Sequence, residues 1–375
     1  MIERLITLVA LVASALSHAP TLRAAAHPDK ARAAVQRLSP QQLAGQRIIY
    51  AYAGLKPPAS LLSAIRAGEA GGVIFFAPNV SSPAQIRGVI GQLQRASMAS
   101  PVHSRLLMLT DQEGGEVRRL PGAPTLSQKQ IGQSANAAAQ ARAAGTGAGQ
   151  NLRSVGMNLN LSPVLDVYRQ AGNFIDEFQR SYSSNPRTVA TLGAAFISAQ
   201  QLTSVAATAK HFPGLGSASR RQNTDLGPVT LNSSLATLRN VDELPYKSAI
   251  AAGVKVIMSS WAIYPALDPR RPAGLSSTVI GSELRKRLGF KGVTITDGID
   301  AGAVTPFGNL GKRAVLAATA GADLILCAAT NPANNTPAEG ITARNAIVSA
   351  LAHHQLSQSA AQQSAARILA LRAKP

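Results

Sequence analysis

Residues 291–298, KGVTITDG, read as a strand buried on both faces that stops at a carboxylate. Valine, isoleucine and two threonines make the run almost wholly β-branched, and glycines bound it. The same grammar recurs along the chain in RIIYAYAG (47–54), GGVIFF (71–76), RLLMLTD (105–111), MNLNLSPVLD (157–166), VAATAKHF (205–212), VKVIMSSW (254–261) and ADLILCA (322–328). Between these runs lie stretches of helical composition, such as SPAQIRGVIGQLQRAS, NAAAQARAAGTGAGQNLRSV and PRTVATLGAAFISAQQL. Continuous apolar strands alternating with helices imply a parallel sheet covered on both faces. Eight such units predict an α/β fold, a closed (β/α)8 TIM barrel forming a single catalytic domain. An open doubly wound sheet is the alternative. The lack of a Gly-rich phosphate fingerprint after the first strand counts against it.

The chain has 375 residues, 46% of them hydrophobic and only 4% aromatic, so aliphatic side chains supply most of the packing of one large core. Thirty-seven Lys and Arg against eighteen Asp and Glu give a net charge of +19. The basic residues are scattered and no block is interleaved with aromatics, so no specific nucleic-acid partner is expected. A generally basic surface of an exported protein, with attraction to an anionic cell-wall polymer, is the expected meaning of the charge. The single cysteine, Cys327, lies in an apolar run and can form no internal disulfide. Neither CxxC nor HExxH occurs, and no metal or cofactor is expected.

The N-terminus reads as an export signal. Arg4 supplies the positive region, LITLVALVASAL (5–16) the apolar one, and Ala24-Ala25-Ala26 a small-residue cleavage site. An uncleaved anchor is the other reading, but no run reaches the ~18 apolar residues of a comfortable span. The expected organisation is a signal peptide over 1–26, a lead-in segment over 27–45 and the barrel over 46–375, with a secreted, extracytoplasmic protein as the product.

In such a barrel the chemistry lies at the C-terminal ends of the strands. The third strand ends in Asp111, the fourth in Asp166, the fifth in Lys210-His211, the sixth in Ser259, Ser260 and Trp261, and the seventh in Asp297. One such residue alone is as well explained by a helix cap or a loop salt bridge. Five on one rim converge on one pocket. Gly114 and Gly115, just after Asp111, allow close backbone approach or positive φ. Glu113 and Glu116 read as partners for Arg118 or Arg119 in a surface salt bridge. Asp300 reads as the cap of the next helix. Asp297, followed by Gly298, is suited to attack an anomeric carbon.

Taken together, LTDQEGGEVRRLPGAPTLSQ, NLNLSPVLDV, RSYSSNP, AKHFPGLG and GFKGVTITDGIDAGAV, in that order, resemble glycoside hydrolase family 3. The likeness is to its small single-domain β-N-acetylglucosaminidases (β-hexosaminidases) and runs from about residue 45 to 330. It implies a retaining exo-β-glycosidase with Asp297 as nucleophile, and a β-linked wall saccharide as substrate. It also implies sugar contacts from Asp111, Arg119, Arg180, Lys210 and His211, with Asp166 structural. The family's small members carry an Asp-x-His pair as acid/base in the loop after the fifth strand. Here Arg221 and Asn223 stand at those positions, Leu215 replaces a second His, and Trp261 stands where a sixth-strand His is usual.

The loop SASRRQNTDLGPV (217–229) holds no histidine, and Asp225 is its one carboxylic acid. Asp225 is a candidate acid, and an Asp in an Asn-Thr-Asp turn is the equal alternative. Two further functions follow from the departure. One is a sugar- or wall-binding protein that keeps the pocket without turnover. The other is glycosyl transfer to an acceptor other than water, with Arg220 and Arg221 available for an anionic acceptor.

Overall fold

The computed structural model describes residues 33–373. The segment read as an export signal lies outside the described residues. Eight strands close into one barrel: β1 Ile48–Tyr50, β2 Gly72–Ile74, β3 Leu107–Thr110, β4 Leu159–Asn160, β5 Ala206–Phe212, β6 Val256–Ser259, β7 Val293–Gly298 and β8 Leu324–Leu326. Neighbours in sequence are neighbours in the barrel, every pair is parallel, and β8 returns to β1 through Ile48↔Ile325. The TIM barrel expected from the strand count is the fold.

The strands are shorter than the apolar runs that announced them. In 157–166 only Leu159–Asn160 lie in the ladder. Pro163 has no amide hydrogen to donate, and beyond the ladder Val164 forms an isolated bridge to Lys210 of β5. Within the lead-in segment, a short helix over Pro40–Gly45 is capped by Ser39 and buries Leu43 and Ala44.

Side chains alternate along each strand. The inward set includes Ile49, Ile74, Leu107, Leu109, Leu159, Met258, Val293, Ile295 and Leu326, packed together as the barrel interior. The outward set faces the helices. Ala207, Ala209 and Ile257 pack with Val189, Leu192 and Phe196 of the helix Pro186–Gln201. That helix starts where it does because Asn185 accepts hydrogen bonds from the amides of Arg187 and Thr188, and Pro186 fits the first turn.

Continuing the inward direction by two residues places Asp111 above Leu109 and Asp297 above Ile295. Two bulges then adjust the rim. On β5, Ala209 pairs with Ile257 and Phe212 with Ser259, so Lys210 and His211 together oppose Met258. On β7, Ile295 pairs with Leu324 and Gly298 with Leu326, so Thr296 and Asp297 together oppose Ile325. A bulge leaves one residue unpaired and re-aims side chains. Lys210 and His211, which regular alternation would send to opposite faces, thereby both line one cavity.

The other end of the barrel is closed by the C-terminal helix Gln358–Arg372, whose Ile368 joins the interior layer. Here Asp323 is fully buried and accepts from Arg285 Nη2 at 2.6 Å, Arg367 Nη2 at 2.7 Å and the Thr294 amide at 2.9 Å. Burial alone would raise its pKa, but the Arg285 and Arg367 guanidiniums hold the carboxyl below the ordinary value. A depressed pKa contributes stability above the unfolded-state value, and that stability is lost as pH falls through the folded one. Asp323→Asn therefore costs about 3–5 kcal/mol at neutral pH by leaving two guanidiniums without their carboxylate. The deficit relative to the unsubstituted chain shrinks as the pH drops below about 4, the ordinary carboxyl pKa. Denaturant unfolding at two pH values measures both.

Candidate functional site

The C-terminal rim encloses a cavity of about 550 Å3. Ile74 of β2, Lys210 and His211 of β5, Met258 of β6, Asp297 of β7 and Leu326 of β8 all reach it, as do Asp111 and Leu161 just beyond β3 and β4. The predicted site residues Asp111, Arg119, Arg180, Lys210, His211 and Asp297 therefore share one cavity, and Asp225 joins them.

One wall is a chain of ion pairs. Lys210 Nζ lies 2.7 Å from Asp111 Oδ1 and 2.7 Å from Glu113 Oε1. Arg180 grips Glu113 with two parallel hydrogen bonds, Nε to Oε2 at 2.9 Å and Nη2 to Oε1 at 2.8 Å. Burial would neutralise Lys210, but Asp111 and Glu113 raise its pKa, so the ammonium stays charged. Burial would likewise raise Glu113; Arg180 and Lys210 hold it down at about 2. Asp111 is lowered too, by Lys210 and Arg119 against the effect of burial.

Glu113, read from sequence as one end of a surface salt bridge, is instead a buried keystone. Its signal was its place two residues after Asp111, which in an extended chain puts both on one side. It gets there through Gly114 and Gly115, at φ 107° and 59°. A Cβ on Gly114 would strike the Leu126 carbonyl, so both uses foreseen for these glycines are realised.

His211 is fixed from below by Asp166, which is fully buried. Asp166 Oδ2 lies 2.7 Å from His211 Nδ1, while Oδ1 accepts from the amides of Leu215 at 2.7 Å and His211 at 3.3 Å. A carboxylate only accepts, so Nδ1 is the protonated nitrogen and Nε2 is left for the cavity.

Asp297 is held more loosely. Oδ1 accepts from the next amide, Gly298 N, at 2.8 Å. Among the described residues no hydrogen bond falls on its Oδ2. Buried Trp261 braces the turn by donating from Nε1 to Gly298 O at 2.8 Å.

Asp225 is set by backbone. Asn223 Oδ1 accepts from Asp225 N at 2.8 Å. The carbonyls of Thr224 and Asp225 accept from Ala303 N at 3.0 Å and Gly302 N at 2.9 Å. The side chain is open to the cavity, yet protein atoms crowd the carboxyl. That crowding, with the facing carboxylate of Asp297, pushes its pKa up to about 6 against the pull of Arg180 and His211.

Other expectations fail. Arg220 pairs with Glu177 at the surface, and neither it nor Arg221 is among the residues that line the cavity. Asp300 caps no helix: Ala301 holds that position, and Asp300 sits 3.5 Å from Arg313. Phe174 and Phe178 line the cavity without having been singled out. They sit in a turn-rich segment with no periodicity to mark them.

The profile of the glycosyl hydrolase family 3 N terminal domain matches residues 40–371. An uncharacterized secreted glycosyl hydrolase of Arthroderma benhamiae is 46% identical over 88% of this chain and 92% of its own length. Beta-hexosaminidase A of Pseudoalteromonas piscicida is 32% identical over 84% of this chain, which spans 55% of that relative. Among solved structures, a family 3 β-N-acetylglucosaminidase from a Paenibacillus strain superimposes with a TM-score of 0.83 at 33% identity, over 90% of this chain and 62% of that one. A β-N-acetylhexosaminidase from Beutenbergia cavernae gives 0.79 at 29% identity, over 90% and 99%.

The assigned tautomer is open to direct measurement. Nitrogen-15 NMR of the histidine side chains should place the His211 proton on Nδ1, and Asp166→Asn should shift the population toward the other tautomer. An Nε2-protonated ring in the unsubstituted protein would contradict the assignment.

Proposed function

The chain belongs to glycosyl hydrolase family 3, and on that premise we propose that it is a retaining exo-β-N-acetylhexosaminidase with Asp297 as nucleophile. The observation that carries this is the contrast within one cavity. Asp111, Lys210 and Arg180 are bound into a charged lattice, whereas among the described residues Asp297 meets no cation at hydrogen-bond distance and accepts only from the Gly298 amide, through one oxygen. A carboxylate with a free oxygen at the cavity floor is suited to attack. The lattice is suited to hold sugar hydroxyls, since Asp111 Oδ2 accepts while Lys210, Arg119 and Arg180 donate. His211 Nε2 completes that wall.

The reaction runs in two steps. An Asp297 oxygen bonds to the anomeric carbon as the bond to the aglycone oxygen breaks, with that oxygen taking up a proton. Water then attacks the same carbon, gives up a proton, and Asp297 leaves as the carboxylate. The two inversions return the original anomeric configuration. The names of the relatives favour β-linked N-acetylhexosamine as the sugar. The net charge of +19 favours an exported enzyme working near anionic wall material.

A mechanism-based 5-fluoro N-acetylglucosaminyl reagent should leave one glycosyl adduct, located by mass spectrometry on the peptide carrying Asp297. Asp297→Asn should block labelling and lower kcat by several orders of magnitude. Absence of an adduct with every sugar tried, alongside calorimetric saccharide binding, would replace hydrolysis by binding alone.

A further inference from the structure

We propose that Asp225 is the general acid and base of this reaction, held opposite the nucleophile by the docking of its loop on the backbone of Gly302 and Ala303. The inference rests on the reading of Asp297 as nucleophile.

Cleavage of an unactivated glycoside needs a proton on the leaving oxygen. Four carboxyl groups line the cavity among the described residues: Asp111, Glu116, Asp225 and Asp297. Asp297 is spoken for as nucleophile. Asp111 is clamped by Lys210 and held ionised, so it has no proton to give. Glu116 sits at the tip of the short hairpin between Gln112–Gly114 and Val117–Arg118, which among the described residues makes no backbone hydrogen bond to the segment after β7. Lys210 is buried and locked between two carboxylates. His211 is anchored to Asp166 beside Lys210, on the wall assigned to sugar hydroxyls. Asp225 remains, on a different loop and free of any cation at hydrogen-bond distance among the described residues.

Its placement is built into the fold. The hydrogen bonds from Gly302 and Ala303 to the carbonyls of Asp225 and Thr224 tie the loop to the segment that follows β7, five to six residues beyond Asp297. The approach is close enough to require glycine: a Cβ on Gly302 would lie 2.4 Å from the Leu226 carbonyl carbon and oxygen. The strand that carries the nucleophile thus also fixes the loop that carries the acid.

The titratable and charged groups facing Asp225 are Asp297, Arg180, His211 and Asp111. While Asp297 is ionised, its charge helps keep the Asp225 proton in place, consistent with a pKa of about 6. Once Asp297 is glycosylated, that charge is gone and Asp225 becomes the stronger acid. In the first step the Asp225 proton goes to the aglycone oxygen as its bond to the anomeric carbon breaks. In the second, the Asp225 carboxylate takes a proton from water, whose oxygen bonds to that carbon as Asp297 departs. One residue so acts as acid and then as base.

The test compares the unsubstituted enzyme, Asp225→Asn and Gly302→Ala on a β-linked N-acetylglucosamine disaccharide and on its 2,4-dinitrophenyl glycoside, whose leaving group needs no proton. Asp225→Asn should lose about 10²–10⁴-fold in kcat/KM on the disaccharide and far less on the aryl glycoside. The fall of kcat/KM above a pH of about 6 should disappear with it. Azide should accelerate aryl-glycoside turnover by this variant and yield the β-glycosyl azide. Gly302→Ala should show the same ordering of losses, smaller in size. Labelling of Asp297 in Asp225→Asn by the fluoro-sugar reports that the fold and nucleophile are intact.

Equal losses on both substrates, or an unchanged disaccharide rate in Asp225→Asn, would overturn the proposal. Unchanged disaccharide turnover in Gly302→Ala would overturn its docking half. With Asp297 labelled, these results remove only this inference. Failure to label Asp297 in the unsubstituted enzyme removes the parent reading as well.

Discussion

A buried ammonium organises the rim of this barrel. Lys210 is 2% exposed, and its Nζ touches carboxylates from the chain that follows β3. A charge so placed is tolerable only when paired, because desolvating an isolated ammonium costs several kcal/mol. Lys210 therefore pins the exit of β3 to β5, and Glu113 extends the clasp to Arg180 in the segment before the helix Pro186–Gln201. Hydrophobic packing gives the barrel its shape. This short run of alternating charges fixes the orientation of the groups that face the cavity.

The same lattice explains why two aspartates on one rim differ. Asp111 lies beside fixed cations and stays ionised. Asp225 is crowded by protein atoms and faces a carboxylate, and its pKa rises. Environments that separate the pKa values of neighbouring carboxyls allow one cavity to hold both a base and an acid near neutrality. Asp297 is anchored through one oxygen by its own strand turn. The bulge on β7 places it, and Trp261 braces the Gly298 carbonyl just after it.

Much of this was legible in the sequence because closed barrels repeat one rule. Apolar runs ending in polar residues gave the strand count, the rim and the identity of the cavity-lining Asp111, Lys210, His211 and Asp297. What was hidden depended on geometry that composition does not encode. No residue pattern marks the bulge that brings both Lys210 and His211 to the cavity. Glu113 looked like a surface charge because its burial follows from two positive-φ glycines and a guanidinium some 67 positions away. Asp300 offered the chemistry of a helix cap, but the cap position falls one residue later, at Ala301, and Asp300 turns to Arg313. The docking of 224–225 on 302–303 is main chain to main chain, so no side chain announced it.

The central claim, displacement through a covalent bond to Asp297, has a stereochemical consequence that needs no variant. Proton NMR of the reducing sugar in the first minutes of hydrolysis reads the anomer released before mutarotation. The account predicts the β-anomer first, with the α-anomer growing in later. Initial release of the α-anomer would mean a single inversion by water and would contradict it.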